Sequence, residues 1–252
     1  MGIAERDTMG GLAKGLLVIE SFSADHPRQS IAQVAAATGL DRATARRCLL
    51  TLAREGYADW DGKFFTLTPR VLRLGTACLA TLPLPVIVQP FLDRLSEEIG
   101  ESTSVSILDG GDIVYLARAA QRKVMSISLM PGSRLPAYCT SMGRVLLAAR
   151  DEAEVRDLLG SAHLPDRTGK TKTDPEVILG EIRAVRAQGF ALIDQEVEIG
   201  LQSLAVPVLN TRGKTVAALN VGVAGQGEPE EVRARFLHHL QQVQAELRQQ
   251  LH

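Results

Sequence analysis

Four arginines, Arg42, Arg46, Arg47 and Arg54, stand in a stretch that holds no acid from residue 42 through 54. A guanidinium can bond the edge of guanine with two parallel hydrogen bonds. The small Ala43 allows close approach or contact with a thymine methyl, and Thr44 can bond a base or a phosphate. A solvated basic helix face has the same composition, so the neighbouring residues must decide between the two. A second set with chemistry lies at Thr140-Ser141-Met142. Either hydroxyl can cap a helix starting near Met142, and the free amides there, with the helix dipole, suit a carboxylate. Arg134, Tyr138 and Cys139 are near enough in sequence to line the mouth of such a site. Two other uses of these residues are open. Cys139 or Ser141 could be a nucleophile with His163 as base, or Cys139, His163 and Asp194 could gather a metal ion. Neither has an activating motif or ligand spacing behind it: there is no G-x-S-x-G, H-E-x-x-H or P-loop. The residues call for no cofactor.

The elements around the arginines favour DNA. Ser30-Ile31-Ala32-Gln33 is a capping box that starts a short helix with Ile31, Val34, Ala35 and Thr38 on one face. Gly39 supplies a left-handed C-cap, and Asp41 caps a second helix only two residues later. That helix, Arg42–Arg54, should bury Ala45, Cys48, Leu49 and Leu52. It should present Ala43, Arg46, Arg47 and Leu50 outward, with Arg42 and Thr44 near its start. Two short helices across a glycine turn form a helix–turn–helix, whose second helix enters the major groove. Tyr57–Trp60 and Lys63–Thr66 read as strands about Asp61-Gly62, a wing with Lys63 at its tip for a phosphate. The DNA-facing set is therefore Ser30, Gln33, Arg42, Ala43, Thr44, Arg46, Arg47 and Lys63. A further helix precedes the motif, with Leu12, Leu16 and Ile19 at helical spacing.

Thr68-Pro69 opens a connecting helix that should reach about Thr81, and Leu82-Pro83-Leu84-Pro85 should break it. The expected domains are a winged helix–turn–helix over 11–67, a linker helix over 68–84 and a larger domain over 85–252. The last should hold a helix over Val86–Ile99, kinked or begun at Pro90. Strands follow over Ser102–Leu108, Ile113–Ala119 and Val124–Leu129, then helices over Met142–Ala149, Asp151–Leu159 and Pro175–Gln188. Strands over Phe190–Asp194, Gln202–Leu209 and Thr215–Val223 and a closing helix over Glu230–Leu251 complete it. That order is α+β with a mostly antiparallel sheet. Asn220 interrupts an otherwise apolar strand and needs a partner if buried, either a neighbouring strand or a ligand.

Composition bounds the reading. The 252 residues are 45% hydrophobic and only 4% aromatic, so the cores must be mainly aliphatic. The net charge of −1 excludes a chain that binds nucleic acid through bulk charge. Three scattered cysteines argue against a disulfide framework or a zinc finger, and Cys48 and Cys78 read as small buried hydrophobes. No apolar run is long enough for a membrane span. The polar start, Met1–Gly11, resembles neither a signal nor a transit peptide, which places the protein in the cytoplasm.

The layout resembles the IclR family of bacterial transcriptional regulators from about Leu12 to Leu251. The matching stretches are Ile31–Ala35, Gly39–Arg47, Leu52–Tyr57, Ser141–Ala148 and Glu198–Leu201. Within the family, Gly132–Arg144 looks like the branch that answers to protocatechuate, 4-hydroxybenzoate or β-ketoadipate-pathway intermediates, although many members carry Lys where this chain has Arg144. The resemblance implies a GAF-like effector-binding domain and homodimers or tetramers on palindromic double-stranded operators. It places the effector pocket between the Met142 helix start and the inner sheet face. On that basis Asp194, Glu196, Ser203, Asn220 and Gly222 would join Arg134, Tyr138, Cys139, Thr140, Ser141 and Met142 around a small carboxylate effector.

Overall fold

A computed structural model describes residues 7–23, 25–121, 129–225 and 227–251, leaving aside the side chains of 77–80. The chain divides into two compact units, Met1–Thr81 and Leu82–His252. The proposed strand over Val124–Leu129 falls almost wholly outside the described residues.

The first unit begins with α1 (Gly10–Glu20), β1 (Arg28–Ser30), α2 (Ile31–Thr38) and α3 (Arg42–Arg54). Strands β2 (Ala58–Trp60) and β3 (Phe64–Leu67) follow, then a 3-10 turn over Pro69–Val71 and α4 (Leu72–Thr81). The capping box is present: Ser30 and Gln33 bond each other's backbone amides. Gly39 ends α2 at φ +70°, where a Cβ would be strained. Asp41 accepts from the Thr44 amide at 2.8 Å and starts α3. Val18, Val34, Ala45, Leu49 and Phe65 form the core of this unit. Strand β1 is missing from the sequence reading because it is three residues long and Ser30 serves both as its last residue and as the cap of α2. It pairs antiparallel with β3, giving the sheet order β1-β3-β2.

The second unit starts with α5 (Pro83–Ile99): the expected break after α4 is present but confined to Leu82, and α5 begins three residues before the expected Val86. Both prolines fall in the first turn, where the missing N–H groups have no intrahelical acceptor, so the helix tolerates them. Pro90 lies inside α5 and does not end it. The unit continues with β4 (Ser102–Asp109), β5 (Asp112–Ala119), β6 (Arg134–Pro136), α6 (Ser141–Ala148), α7 (Glu152–Ser161) and α8 (Pro175–Gln188). It ends with β7 (Ala191–Asp194), β8 (Leu201–Leu209), β9 (Thr215–Ala224) and α9 (Pro229–Gln250). The six strands form one antiparallel sheet, β6-β5-β4-β9-β8-β7. Alternation along each strand gives it two faces. Leu219 and Val221 pack with Leu92, Phe236 and Leu240 of α5 and α9. Ala218 and Tyr115 pack with Met142, Val145 and Ile178 of α6 and α8 on the opposite face. Among the described residues no helix is long and apolar enough to cross a membrane.

Candidate functional site

In the first unit, Arg42, Ala43, Arg46 and Arg47 are exposed on α3. Thr44 is buried instead, its hydroxyl accepting from Arg47 Nη2 at 3.3 Å, so it orients an arginine and is not itself presented to a base. Leu50, expected on the outer face, packs against the core. Ser30 and Gln33 are engaged with each other at the start of α2. Lys63 is exposed at the tip of the β2–β3 hairpin. Asp61 builds that tip by accepting from the amides of Lys63 at 2.9 Å and Phe64 at 2.8 Å and from the Arg28 guanidinium. These bonds, led by the Phe64 amide, hold its carboxyl well below the usual carboxylate range. Arg28 also lies 4.3 Å over the Phe64 ring. It is a basic residue on the wing that the sequence reading passed over, because β1 itself was not recognised.

In the second unit a small cavity lies between the start of α6 and the inner sheet face. It is lined by Thr140, Ser141, Met142, Ser203, Asn220 and Gly222, all expected there, and by Tyr115, Arg118, Leu129, Leu135, Val197 and Leu201. Its volume of about 30 Å³ holds a water molecule or two, so a larger guest must push the walls apart. Thr140 caps α6, accepting from the Gly143 amide at 3.1 Å. That leaves Ser141 Oγ, on a residue 1% exposed, without a partner; Asn220 Oδ1, on a residue 8% exposed, is likewise unpartnered. Unsatisfied buried oxygens are costly and call for an explanation.

The sheet register sets the polar character of the cavity. Ser104 of β4 stands opposite Arg118 on one side and Asn220 on the other. Arg118 Nη1 donates to Ser104 Oγ at 3.0 Å. The register slips between Val105 and Ser106, so β5 carries one extra residue against β4. This bulge turns Tyr115 and Arg118, three residues apart, toward one cavity. Strict alternation would put them on opposite faces, which is why Arg118 escaped the sequence reading; an arginine inside an apolar strand was the available signal. Burial pulls the Arg118 guanidinium below its ordinary range, although a nearby Tyr115 phenolate would oppose this.

Five expected site residues lie elsewhere. Arg134 is half-exposed on β6 and pairs with Asp109 at 2.6 Å and Asp112 at 3.2 Å. Tyr138 donates its hydroxyl to the Pro165 carbonyl at 2.5 Å. Cys139 Sγ bonds the Pro136 carbonyl at 3.7 Å, and burial pushes its thiol up to about 11. Asp194 accepts from Gln202 at 2.8 Å and Gln195 at 3.1 Å, with Lys170 at 3.4 Å. Glu196 is buried against Arg144 at 2.8 Å. His163 is exposed on a loop and bonds neither Cys139 nor Ser141. Among the described residues no three metal-capable side chains converge.

Two family models match the chain: the IclR helix-turn-helix domain over residues 11–62 and the bacterial transcriptional regulator IclR C-terminal domain over residues 76–248. The chain is 46% identical to the Pca regulon regulatory protein of Pseudomonas putida, covering 92% of this chain and 80% of that protein. It is 39% identical to the p-hydroxybenzoate hydroxylase transcriptional activator of Acinetobacter baylyi, covering 86% and 82% respectively. A double mutant of the PobR inducer-binding domain from Acinetobacter, solved in complex with 3-hydroxybenzoic acid, superposes with a TM-score of 0.61 at 32% identity. That likeness covers 65% of this chain and 97% of the domain. With a winged helix–turn–helix in one unit and the matching carboxy-terminal domain in the other, this chain belongs to the IclR family of bacterial transcriptional regulators.

Proposed function

We propose that the second unit is an effector domain for a small aromatic carboxylic acid and that the chain controls genes of aromatic-acid catabolism from the cytoplasm. The observation that carries this reading is the cavity: a half-buried guanidinium, Arg118, and two unpartnered buried oxygens, Ser141 Oγ and Asn220 Oδ1, between aliphatic walls. A hydroxybenzoate has the matching parts, with a carboxylate for Arg118, a flat apolar ring, and a hydroxyl that donates to Ser141 or Asn220. The similarity to regulators of p-hydroxybenzoate and Pca genes supports the same class. The domain partition follows: residues 11–67 read DNA, 68–84 link and 85–252 bind the effector.

A lone recognition helix reads one half-site, so palindromic operators require two copies. The first unit has an apolar groove of about 730 Å³ lined by Leu12, Leu16 and Ile19 of α1, Cys48 and Leu52 of α3 and Leu74 of α4. Such a surface on the DNA-binding unit supports self-association. The effector would act by shifting the balance between arrangements of the two DNA-binding units.

Isothermal titration of the full-length protein with 4-hydroxybenzoate, 3-hydroxybenzoate and protocatechuate tests the effector class. Footprinting upstream of aromatic-degradation genes, with and without the bound acid, tests the regulatory role. Saturable binding of at least one acid, together with altered protection, is expected. No binding of any of the three at millimolar concentration would overturn the effector reading.

A further inference from the structure

Arg144 is the largest fully buried side chain among the described residues, at 1% exposure. Its three donor groups reach three different segments. Nε donates to the Tyr138 carbonyl at 3.0 Å, in the turn before α6. Nη1 meets Glu181 of α8 at 3.3 Å. Nη2 meets Glu196, in the turn between β7 and β8, at 2.8 Å. Glu196 is fixed in turn: its carboxylate accepts from the Lys172 amide at 3.0 Å and its carbonyl from Thr171 Oγ1 at 2.7 Å. Lys172 Nζ closes the circuit on Glu181 at 2.7 Å. Burying so much charge is costly, and an apolar core of the same volume would serve stability as well or better.

The position of the circuit gives it another use. Thr140, Ser141 and Met142, just ahead of Arg144 in α6, form one wall of the effector cavity. Val197, the residue after Glu196, and Leu201 line the same cavity from the β7–β8 segment. We propose that Arg144 is a positioning residue for effector binding: its guanidinium ties the α6 wall to the β7–β8 turn wall and so sets the spacing in which an acid is held. The planar fork suits this task, because a single lysine nitrogen cannot reach along all three directions at once. Arg144 itself does not touch the cavity, and it lies in the other unit from the recognition helix.

This inference rests on the effector reading above, and one experiment separates the two. The full-length wild type, Arg144→Met/Glu196→Gln and Arg144→Lys are compared in 4-hydroxybenzoate affinity, in Tm and in operator affinity without the acid. The double variant removes both charges, while the carboxamide oxygen introduced at position 196 can still accept from the Lys172 amide, so no lone ion is left in the core. Loosening a support of a binding site is expected to raise Kd roughly tenfold in the double variant and about threefold in the lysine variant. Tm and operator affinity should stay close to wild type. A purely structural role gives the reverse, a lower Tm with Kd unchanged for the folded protein. An effector Kd equal to wild type in whichever of the two variants folds overturns the proposal. A wild type that binds none of the acids removes the effector reading, and this inference with it.

Discussion

Gly143 packs so closely on Ala137 that no side chain fits between them: a Cβ at Gly143 would lie 2.1 Å from the Ala137 carbonyl oxygen and 2.4 Å from its Cα. The obstacle is backbone, which cannot rotate away. The absence of a Cβ lets the first turn of α6 press against the 3-10 turn Ala137–Cys139, and that contact sets Ser141 and Met142 against the small cavity on the inner sheet face. Here glycine is required for close approach at an ordinary φ, not for a left-handed turn.

Gly143→Ala should therefore displace α6 or unfold the second unit. Overpacking of a tight core costs about 1–3 kcal/mol, and a clash with rigid backbone belongs at the upper end or beyond. Chemical denaturation would show a loss of that size. A variant as stable as wild type, with unchanged effector affinity, would mean that the contact is looser than described.

Arg118→Gln tests which end of the acid meets the sheet. Hydrogen bonds to a charged group contribute about 1.5–3 kcal/mol, so the variant should bind 4-hydroxybenzoate roughly tenfold to a hundredfold more weakly. The neutral 4-hydroxybenzamide supplies the control. It should bind wild type poorly and lose little further in the variant. Equal losses for acid and amide would remove the carboxylate from Arg118.

Cys139 should be inert. Burial pushes its thiol up to about 11, so below that pH it stays protonated and lacks the thiolate that reacts. Native protein treated with iodoacetamide at about pH 8, near the ordinary thiol value, should show no alkylation at Cys139 by mass spectrometry until the chain is unfolded. Rapid native labelling would revive Cys139 as a nucleophile and count against its assignment as packing.

Much of the first unit was legible because its signals are local. A capping box, a glycine C-cap and an Asp-Gly turn each specify backbone within a few residues, and all three formed where the residues called for them. Strand β1 was not legible, since three residues show no periodicity. In the second unit, element order could be read from alternation and helical spacing, whereas the cavity was expected only through the family resemblance, which gave six of its lining residues and missed the other six. Its walls depend on which side chains already have partners. The resemblance sets Asp194 and Glu196 at the effector, yet Gln202, Gln195, Lys170, Arg144 and Lys172 occupy them. Arg118 depends on a bulge that no local pattern announces.

The DNA side yields a prediction that separates reading bases from holding the backbone. Arg46 projects from the exposed face of α3, and Lys63 from the hairpin tip. If Arg46 meets a base edge, Arg46→Ala should cost about 1–3 kcal/mol on the operator and relax preference at one position in each half-site. If Lys63 meets a phosphate, Lys63→Ala should weaken all sequences about equally and flatten the slope of log K against log salt by roughly one per contact. In a dimer both half-sites lose the contact, so the change in slope should approach two. Fluorescence anisotropy on the operator and on single-substitution variants at several salt concentrations distinguishes the cases. An Arg46→Ala protein that weakens every sequence alike would assign Arg46 to the backbone. Asp61→Ala refines the same test. Its carboxylate organises the hairpin tip, and its depressed pKa means that this support is present above the unfolded carboxylate value and is lost as pH falls through the folded one. At neutral pH Asp61→Ala should therefore reproduce much of the Lys63→Ala loss without removing a positive charge. An Asp61→Ala protein with full operator affinity would show that the wing does not hold Lys63 against DNA.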